Sequence, residues 1–316
     1  MKEEFDKFSP SEIKTKEVAA SIPTNVADHN KVTTRQFSLK SLANGLVTLR
    51  DEKVGETFHP VLGPMTEARQ LYVAQTFLAT CWQEEATKKI TVWDVGLGAA
   101  ANALAVIESW KEGSYGDLVL ASFDLSWEAL FFALEHVEQY PLALGYLSGW
   151  DWEGFQRQGF LEVKRGERKL VWHFHGGNFQ ETYNKAEVPV PSLIMYDLYS
   201  APKCPSLYSL SHWQGIKRHL GNHDCVVIFH SRSTALRVTL LLAGWFVGKG
   251  TFLGEKEETT MAANLLELVS QPLGEEWLGR VRRSVSASPI LGSEMKTSPI
   301  SQEWLRELEE LPQWRA

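Results

Sequence analysis

No run of roughly 18 consecutive apolar residues, the length a helix needs to cross a bilayer, occurs in these 316 residues, which excludes a membrane-spanning helix. The opening Met1-Lys2-Glu3-Glu4 is polar and acidic and lacks the apolar centre of a secretory signal, so the expected location is the cytoplasm. Cysteine is scarce. Cys81, Cys204 and Cys225 are odd in number, far apart and in no C-x-x-C arrangement, which argues against a disulfide framework and a zinc site and leaves three reduced thiols. An overall basic excess is missing as well: 32 Lys and Arg against 39 Asp and Glu give a net charge of −7, whereas nucleic-acid binders usually carry a positive footprint. No internal repeat is present.

A hydrophobic share of 44% with 22% charged residues is that of an ordinary globular chain, long enough for one large α/β domain with additions or two small domains. Charge is unevenly spread. Between Ser200 and Leu253 the basic residues are Lys203, Lys217, Arg218, Arg232, Arg237 and Lys249, and Asp224 is the only acid. These are either a local anion-binding surface or scattered solvated positions on helices.

Residues 1 to about 40 mix charge with Ser, Thr and Pro without a sustained period and are expected to form a flexible arm. Asn44-Gly45 introduces two short β-like runs between Leu46 and Phe58, a hairpin, and Met65 to about Trp82 then has helical spacing; together residues 41–85 make a hairpin-and-helix extension. Strands are expected at 90–95, 118–124, 169–175, 193–197 and 224–230, alternating with helices at 99–112, 126–138, 206–220 and 232–243. Such alternation predicts a parallel sheet with helices on both faces. Leu161 to Val171 is expected to insert a hairpin before the third strand, and Trp245 to Phe252 to add an edge strand. The main domain is set at 86–270, and a helical tail at 271–316 ends in an amphipathic stretch from Trp304 to Leu311.

The most informative segment is Val92-Trp93-Asp94-Val95-Gly96-Leu97-Gly98-Ala99-Ala100-Ala101-Asn102, an apolar strand entering two close glycines and then a helix. Glycines at that point let a ligand lie against backbone at a helix N-terminus, although a G-x-G also serves as a plain strand-to-helix connection. Ligands of open α/β sheets bind outside the carboxyl ends of strands. Asp124 ends the second strand, as a ribose acceptor or an N-cap of the next helix. Asn178 and Phe179 follow the third, to pair with and pack on a base, or to cap a helix. Asp197 ends the fourth, where a carboxylate faces the reacting end of a bound nucleotide-like ligand rather than its base, and Tyr199 follows it as a stacking or a core residue. His173 and His175 are same-face strand residues with no third ligand at useful spacing.

These segments, in this order, resemble the methyltransferase half of the MnmC family of tRNA wobble-uridine enzymes and its stand-alone relatives. Gly55-Glu56-Thr57-Phe58-His59-Pro60 with Gly63-Pro64-Met65-Thr66-Glu67-Ala68 is similar to the family's G-E-x-x-H-S…G-x-x-x-E-A segment. Asp94 to Gly98 with Asn102 resembles its G-x-G-T-G-x-N loop, with Ala99-Ala100 in place of Thr-Gly. Asp197 to Tyr208 resembles D-x-F-[SA]-P-x-K-N-P-E-L-W, with Pro202 shifted by one place, Cys204 for Asn and Tyr208 for Trp. Ser231, Ser233, Arg237, Ala243-Gly244-Trp245 and Gly248-Lys249-Gly250, continued by Lys256 to Ala262, resemble the stretch that follows. The likeness runs from about 46 to 265, and the family's oxidase half has no counterpart in the remainder.

The resemblance implies a class I, Rossmann-like methyltransferase fold with an antiparallel edge strand, and S-adenosyl-L-methionine as cofactor. It implies cofactor contacts at His59, Glu67, Asp94, Gly96, Gly98, Asn102, Asp124, Asn178, Phe179 and Asp197, with His59 and Glu67 in a lid. Asp197 would orient and deprotonate the 5-aminomethyl group of the acceptor uridine while Tyr199 stacks on its base. Lys203, Ser231, Arg232 and Arg237 would meet tRNA, and a separate oxidoreductase of the same modification pathway is an implied partner; no metal or membrane is expected. Two other functions stay open: a methyltransferase of this fold acting on another amine or small molecule, and a non-catalytic protein that binds cofactor or RNA.

Overall fold

Residues 36–140, 150–185, 187–251 and 258–315 are described by the computed structural model. In chain order the strands are β1 (Phe37–Ser41), β2 (Val47–Asp51), β3 (Glu56–Thr57), β4 (Lys89–Val95), β5 (Asp117–Asp124), β6 (Phe160–Arg165), β7 (Arg168–Gly176), β8 (Leu193–Tyr196), β9 (Val226–Phe229), β10 (Phe246–Lys249) and β11 (Thr260–Ala263). The helices are α1 (Pro64–Ala68), α2 (Ala101–Glu112), α3 (Glu128–Glu135), α4 (Trp152–Gln158), α5 (Phe179–Thr182), α6 (Leu210–Leu220), α7 (Thr234–Leu242), α8 (Leu278–Arg283) and α9 (Gln302–Glu309).

β4 to β11 form one eight-stranded sheet in the order β10-β11-β9-β8-β4-β5-β7-β6. The central five, β9, β8, β4, β5 and β7, are parallel, as the alternating sequence pattern predicts. β6 closes one edge antiparallel to β7, and β11 runs antiparallel between β9 and β10. Strand side chains alternate between two cores. Val92, Leu193, Met195 and Ile228 pack under α1 to α4, whereas Trp93, Ile194, Tyr196 and Phe229 pack under α5 to α9. The chain leaves β4 toward β5 and β7 and returns to β8 on its other side, so the order switches between β4 and β8. That crevice is where a sheet of this kind holds a ligand.

Four expectations need correction. Residues 37–40, placed in the arm, belong to β1, which pairs with β2 from Phe37↔Asp51 to Ser41↔Val47; the rest of the arm lies outside the described residues. The helix expected from Met65 to Trp82 is α1, a π-helical turn (Arg69–Ala74) and two 3-10 turns (Phe77–Ala79, Cys81–Gln83). Thr76 ends it: its hydroxyl bonds back to the carbonyls of Tyr72 and Val73 and takes the Leu78 N–H, offering the backbone an alternative to the helical ladder. β11 falls where only helical pieces were expected, because Thr260-Met261-Ala262-Ala263 is buried on both faces and shows no alternation. The edge strand expected to reach Phe252 is β10, ending at Lys249, with Phe252 outside the described residues. The tail is packed on the sheet: the Gln313 amide accepts from Val247 N–H and donates to the carbonyls of Val247 and Leu273.

Candidate active site

At the carboxyl ends of the strands lies a cavity of about 600 Å³, within the usual range of small-molecule sites. One wall is built on strand ends. Gly96, with φ +98°, turns the chain so closely past β8 that a Cβ there would collide with the Asp197 carbonyl oxygen. The N–H groups of Gly96 and Leu97 donate to the Phe123 carbonyl at 2.9 and 3.1 Å, tying the loop to β5. Asp124 accepts from Gly98 N–H at 3.0 Å and from Leu125 N–H at 2.7 Å. It therefore belongs to the glycine loop and the cavity wall; Ser126, not Asp124, takes the N–H of Glu128 at the start of α3.

Asp197 stands where the loop after β8 meets this wall. It accepts from Asn102 Nδ2 at 2.9 Å and lies 3.6 Å from His59 Nε2, so an α2 residue and a residue of the facing wall both hold it. Asp94 is fully buried one layer behind, and it is not part of the wall. Burial pushes its carboxyl up to about 8, with Asp197 and Asp124 adding repulsion, while the Ser122 hydroxyl, donating at 2.7 Å, opposes the shift. The second oxygen of Asp94, the Asn102 Oδ1 and the Tyr72 hydroxyl are all buried without a hydrogen-bond partner.

The opposite wall is a cover made of β1 to β3 and α1. Its anchor is Glu67, whose carboxylate accepts from the N–H groups of Val61 and Leu62, each at 2.7 Å, and lies 3.2 Å from His230 Nε2. Burial alone would raise this carboxyl, but His230, His59 and the two N–H groups outweigh it and hold it down at about 2. Farther out, Tyr199 Oη donates to Asp51 Oδ2 at 2.5 Å, and Ser200 gives both its N–H and its hydroxyl to Glu56. Cover and sheet are thus joined by polar pairs spanning more than 100 residues of chain.

Of the residues singled out in the sequence, His59, Glu67, Gly96, Gly98, Asp124, Asn178, Phe179, Asp197, Tyr199 and Ser231 meet on this cavity. Asn102 touches it only through Asp197. The Asn178 side-chain oxygen is the N-cap of α5, accepting from Gln180 N–H at 3.0 Å. Phe179 is largely packed into the core against Trp93 and Phe123. Lys203 and Arg232 are exposed and outside the wall. Arg237 requires a correction. It is 1% exposed, with its guanidinium donating to Thr260 Oγ1, Glu258 Oε1 and the Thr259 carbonyl, so it joins α7 to β11 and cannot reach a phosphate. Sequence reading missed His230, although it follows β9 as Asp197 follows β8, and it missed Met295, brought in from the tail. Among the described residues no three His, Cys, Asp or Glu side chains could hold a metal ion, and no helix is long and apolar enough to cross a membrane.

No family model matches this chain, and no curated protein matches it. Among solved structures, MnmC2 from Aquifex aeolicus is similar over 88% of this chain and 87% of its own, with a TM-score of 0.60 at 20% identity. A probable spermidine synthase from Corynebacterium glutamicum aligns over 87% of this chain and 90% of its own at TM-score 0.38 and 10% identity. The O-methyltransferase TomG from Streptomyces achromogenes aligns over 65% and 81% at TM-score 0.33 and 10% identity. The likeness to MnmC2, with the strand order given above, shows the class I, Rossmann-like methyltransferase fold.

Proposed function

We propose that this chain is an S-adenosyl-L-methionine-dependent methyltransferase that N-methylates the 5-aminomethyl group of a uridine or 2-thiouridine at the tRNA wobble position. The observation that carries the reading is the position of Asp197, on the cavity wall between the glycine loop and the cover and held by Asn102 and His59. The fold shared with MnmC2 and the family-like segments support it.

The residues present fit the cofactor. Gly96 removes the Cβ that would close the loop against Asp197, and Asp124 offers a carboxylate at the glycine loop for ribose hydroxyls. Asp197, on the wall and oriented by Asn102 behind it, is an acceptor suited to a cationic amino-acid end. Bound there, the cofactor supplies a methyl group on a sulfonium sulfur, open to in-line displacement by a lone pair. An alkylammonium acceptor must first lose a proton. Asp197 takes it or relays it, and the fixed contacts to Asn102 and His59 keep that carboxylate oriented so that positioning, not a covalent intermediate, lowers the barrier. Tyr199, pinned by Asp51, presents a fixed ring for the acceptor base. Lys203 and Arg232, both exposed, are the candidate phosphate contacts. A separate oxidoreductase would supply the aminomethyl substrate.

A second reading, transfer to another amine or a small molecule, is favoured by the loss of Arg237 from the candidate phosphate contacts in a chain of net charge −7. Transfer of a labelled methyl group from S-adenosyl-L-methionine to tRNA carrying the aminomethyl uridine, with unmodified tRNA as control, separates them. Selective labelling supports the first reading; cofactor binding without labelling of either RNA rejects it.

A further inference from the structure

The cavity has a wall residue that neither the glycine loop, the cover nor the loop after β8 supplies. Met295 comes from the tail, more than 60 positions beyond Ser233, the preceding wall residue in the chain. Its segment is clamped at both sides. Ile290 N–H donates to Thr239 Oγ1 at 2.9 Å, the Ile290 carbonyl accepts from Leu210 N–H at 2.7 Å, and Ser288 N–H donates to the Ser298 carbonyl at 3.0 Å. These bonds fix a loop, residues 291–297, to the start of α6 and to Thr239 within α7. Within it Leu291, Ser293, Glu294, Lys296 and Thr297 are exposed, while Met295 turns inward against the core that also holds Leu198, Cys204 and Leu207. Leu198, Cys204 and Leu207 belong to the segment that follows β8, the same segment that brings Asp197 and Tyr199 to the cavity wall.

Resting on the function proposed above, we infer that Met295 is a specificity-determining contact for the acceptor, an apolar platform for its planar heterocyclic ring. A thioether on three rotatable bonds follows the face of a ring without demanding one hydrogen-bond pattern, and sulfur–aromatic contact is favourable. The position also fits: the amine goes to Asp197, Tyr199 offers one aromatic surface, and the tail loop supplies a second from a different part of the chain.

The test uses the full chain, S-adenosylhomocysteine by calorimetry, and an anticodon stem-loop RNA carrying 5-aminomethyl-2-thiouridine by fluorescence anisotropy and methyl transfer. Met295→Ala is expected to leave S-adenosylhomocysteine binding within twofold and to raise the KM and Kd for the RNA about tenfold, a change of one stacking contact, with kcat reduced less. Met295→Leu, which keeps an apolar face, is expected to stay within about threefold of wild type. RNA binding unchanged in Met295→Ala overturns this inference alone, as does a parallel loss of S-adenosylhomocysteine binding or of folding in both variants. A wild-type chain that binds S-adenosylhomocysteine but neither binds nor methylates the RNA overturns the tRNA reading and this inference together.

Discussion

Asp94 and Glu67 are both completely buried, yet one carboxyl is pushed up to about 8 and the other held down at about 2. Burial raises both. What differs is what each wall supplies. On the sheet side Asp94 receives one hydroxyl hydrogen bond, with two further carboxylates near it; on the cover side Glu67 receives two backbone N–H groups and faces two imidazoles. The sheet side thus gathers three carboxyl groups, those of Asp94, Asp124 and Asp197, the last being the place at which the proposed function would bind and deprotonate a cationic acceptor. The cover spends its charge on being held in place.

The largest expected effect lies on the sheet wall. Asp197→Ala should lower methyl transfer by about a thousandfold, as loss of a general base does, and S-adenosylhomocysteine binding measured by calorimetry by only about tenfold, the loss of one charged contact. Turnover within tenfold of wild type would remove Asp197 from the chemistry and break the assignment of chemistry to one wall. On the cover, Glu67→Ala leaves two N–H groups and His230 facing a void. A loss of roughly 3 kcal/mol is expected, read as a fall in denaturation midpoint. The folded carboxyl lies below the ordinary 4.5, so its contribution is present above that pH and disappears as pH falls toward 2. A wild-type chain whose stability is flat between pH 5 and 2 relative to Glu67→Ala would show that the anchor is not ionic.

Asp94 sharpens the contrast because its sign is opposite. Its folded value lies above the ordinary 3.8, so the folded chain holds a proton that the unfolded chain releases, and stability is lost as pH rises toward 8. Asn at this position still accepts from Ser122 and cannot ionise. Asp94→Asn is therefore expected to gain on wild type by about 4 kcal/mol between pH 5 and pH 8. Parallel stability curves for the two proteins would mean that Asp94 is not protonated in the folded chain.

The two walls also differ in how far sequence reveals them. β4, β5, β7, β8 and β9 are apolar runs of which each is followed by a helix or turn, so the rule that ligands sit beyond strand ends leads directly to Gly96, Asp124 and Asp197. Nothing local marks Tyr199 as the partner of Asp51 or Ser200 as the partner of Glu56, because those pairs exist only once the cover has folded over the sheet. Arg237 misled for a related reason. A cation in a locally basic stretch looks solvent-facing until Glu258, Thr259 and Thr260 are brought to it by β11, a strand too short and too evenly buried to have a readable pattern.

The smallest effect concerns a departure from the family pattern that is visible in sequence and costly only in structure. Ala100 occupies the place where the resembling loop carries glycine, and it adopts φ +66° and ψ +17° at the N-cap of α2. An L-residue in that left-handed conformation is destabilised by about 1–2 kcal/mol, partly offset because glycine loses more freedom on folding. The loop nevertheless keeps its bonds to Phe123 and Asp124, so the substitution taxes the fold without reshaping the wall. Ala100→Gly is accordingly expected to raise stability by about 1 kcal/mol while leaving S-adenosylhomocysteine affinity within twofold. A gain in affinity larger than the gain in stability would show that the alanine shapes the binding loop itself, and the sheet wall would then be less rigid than its hydrogen bonds imply.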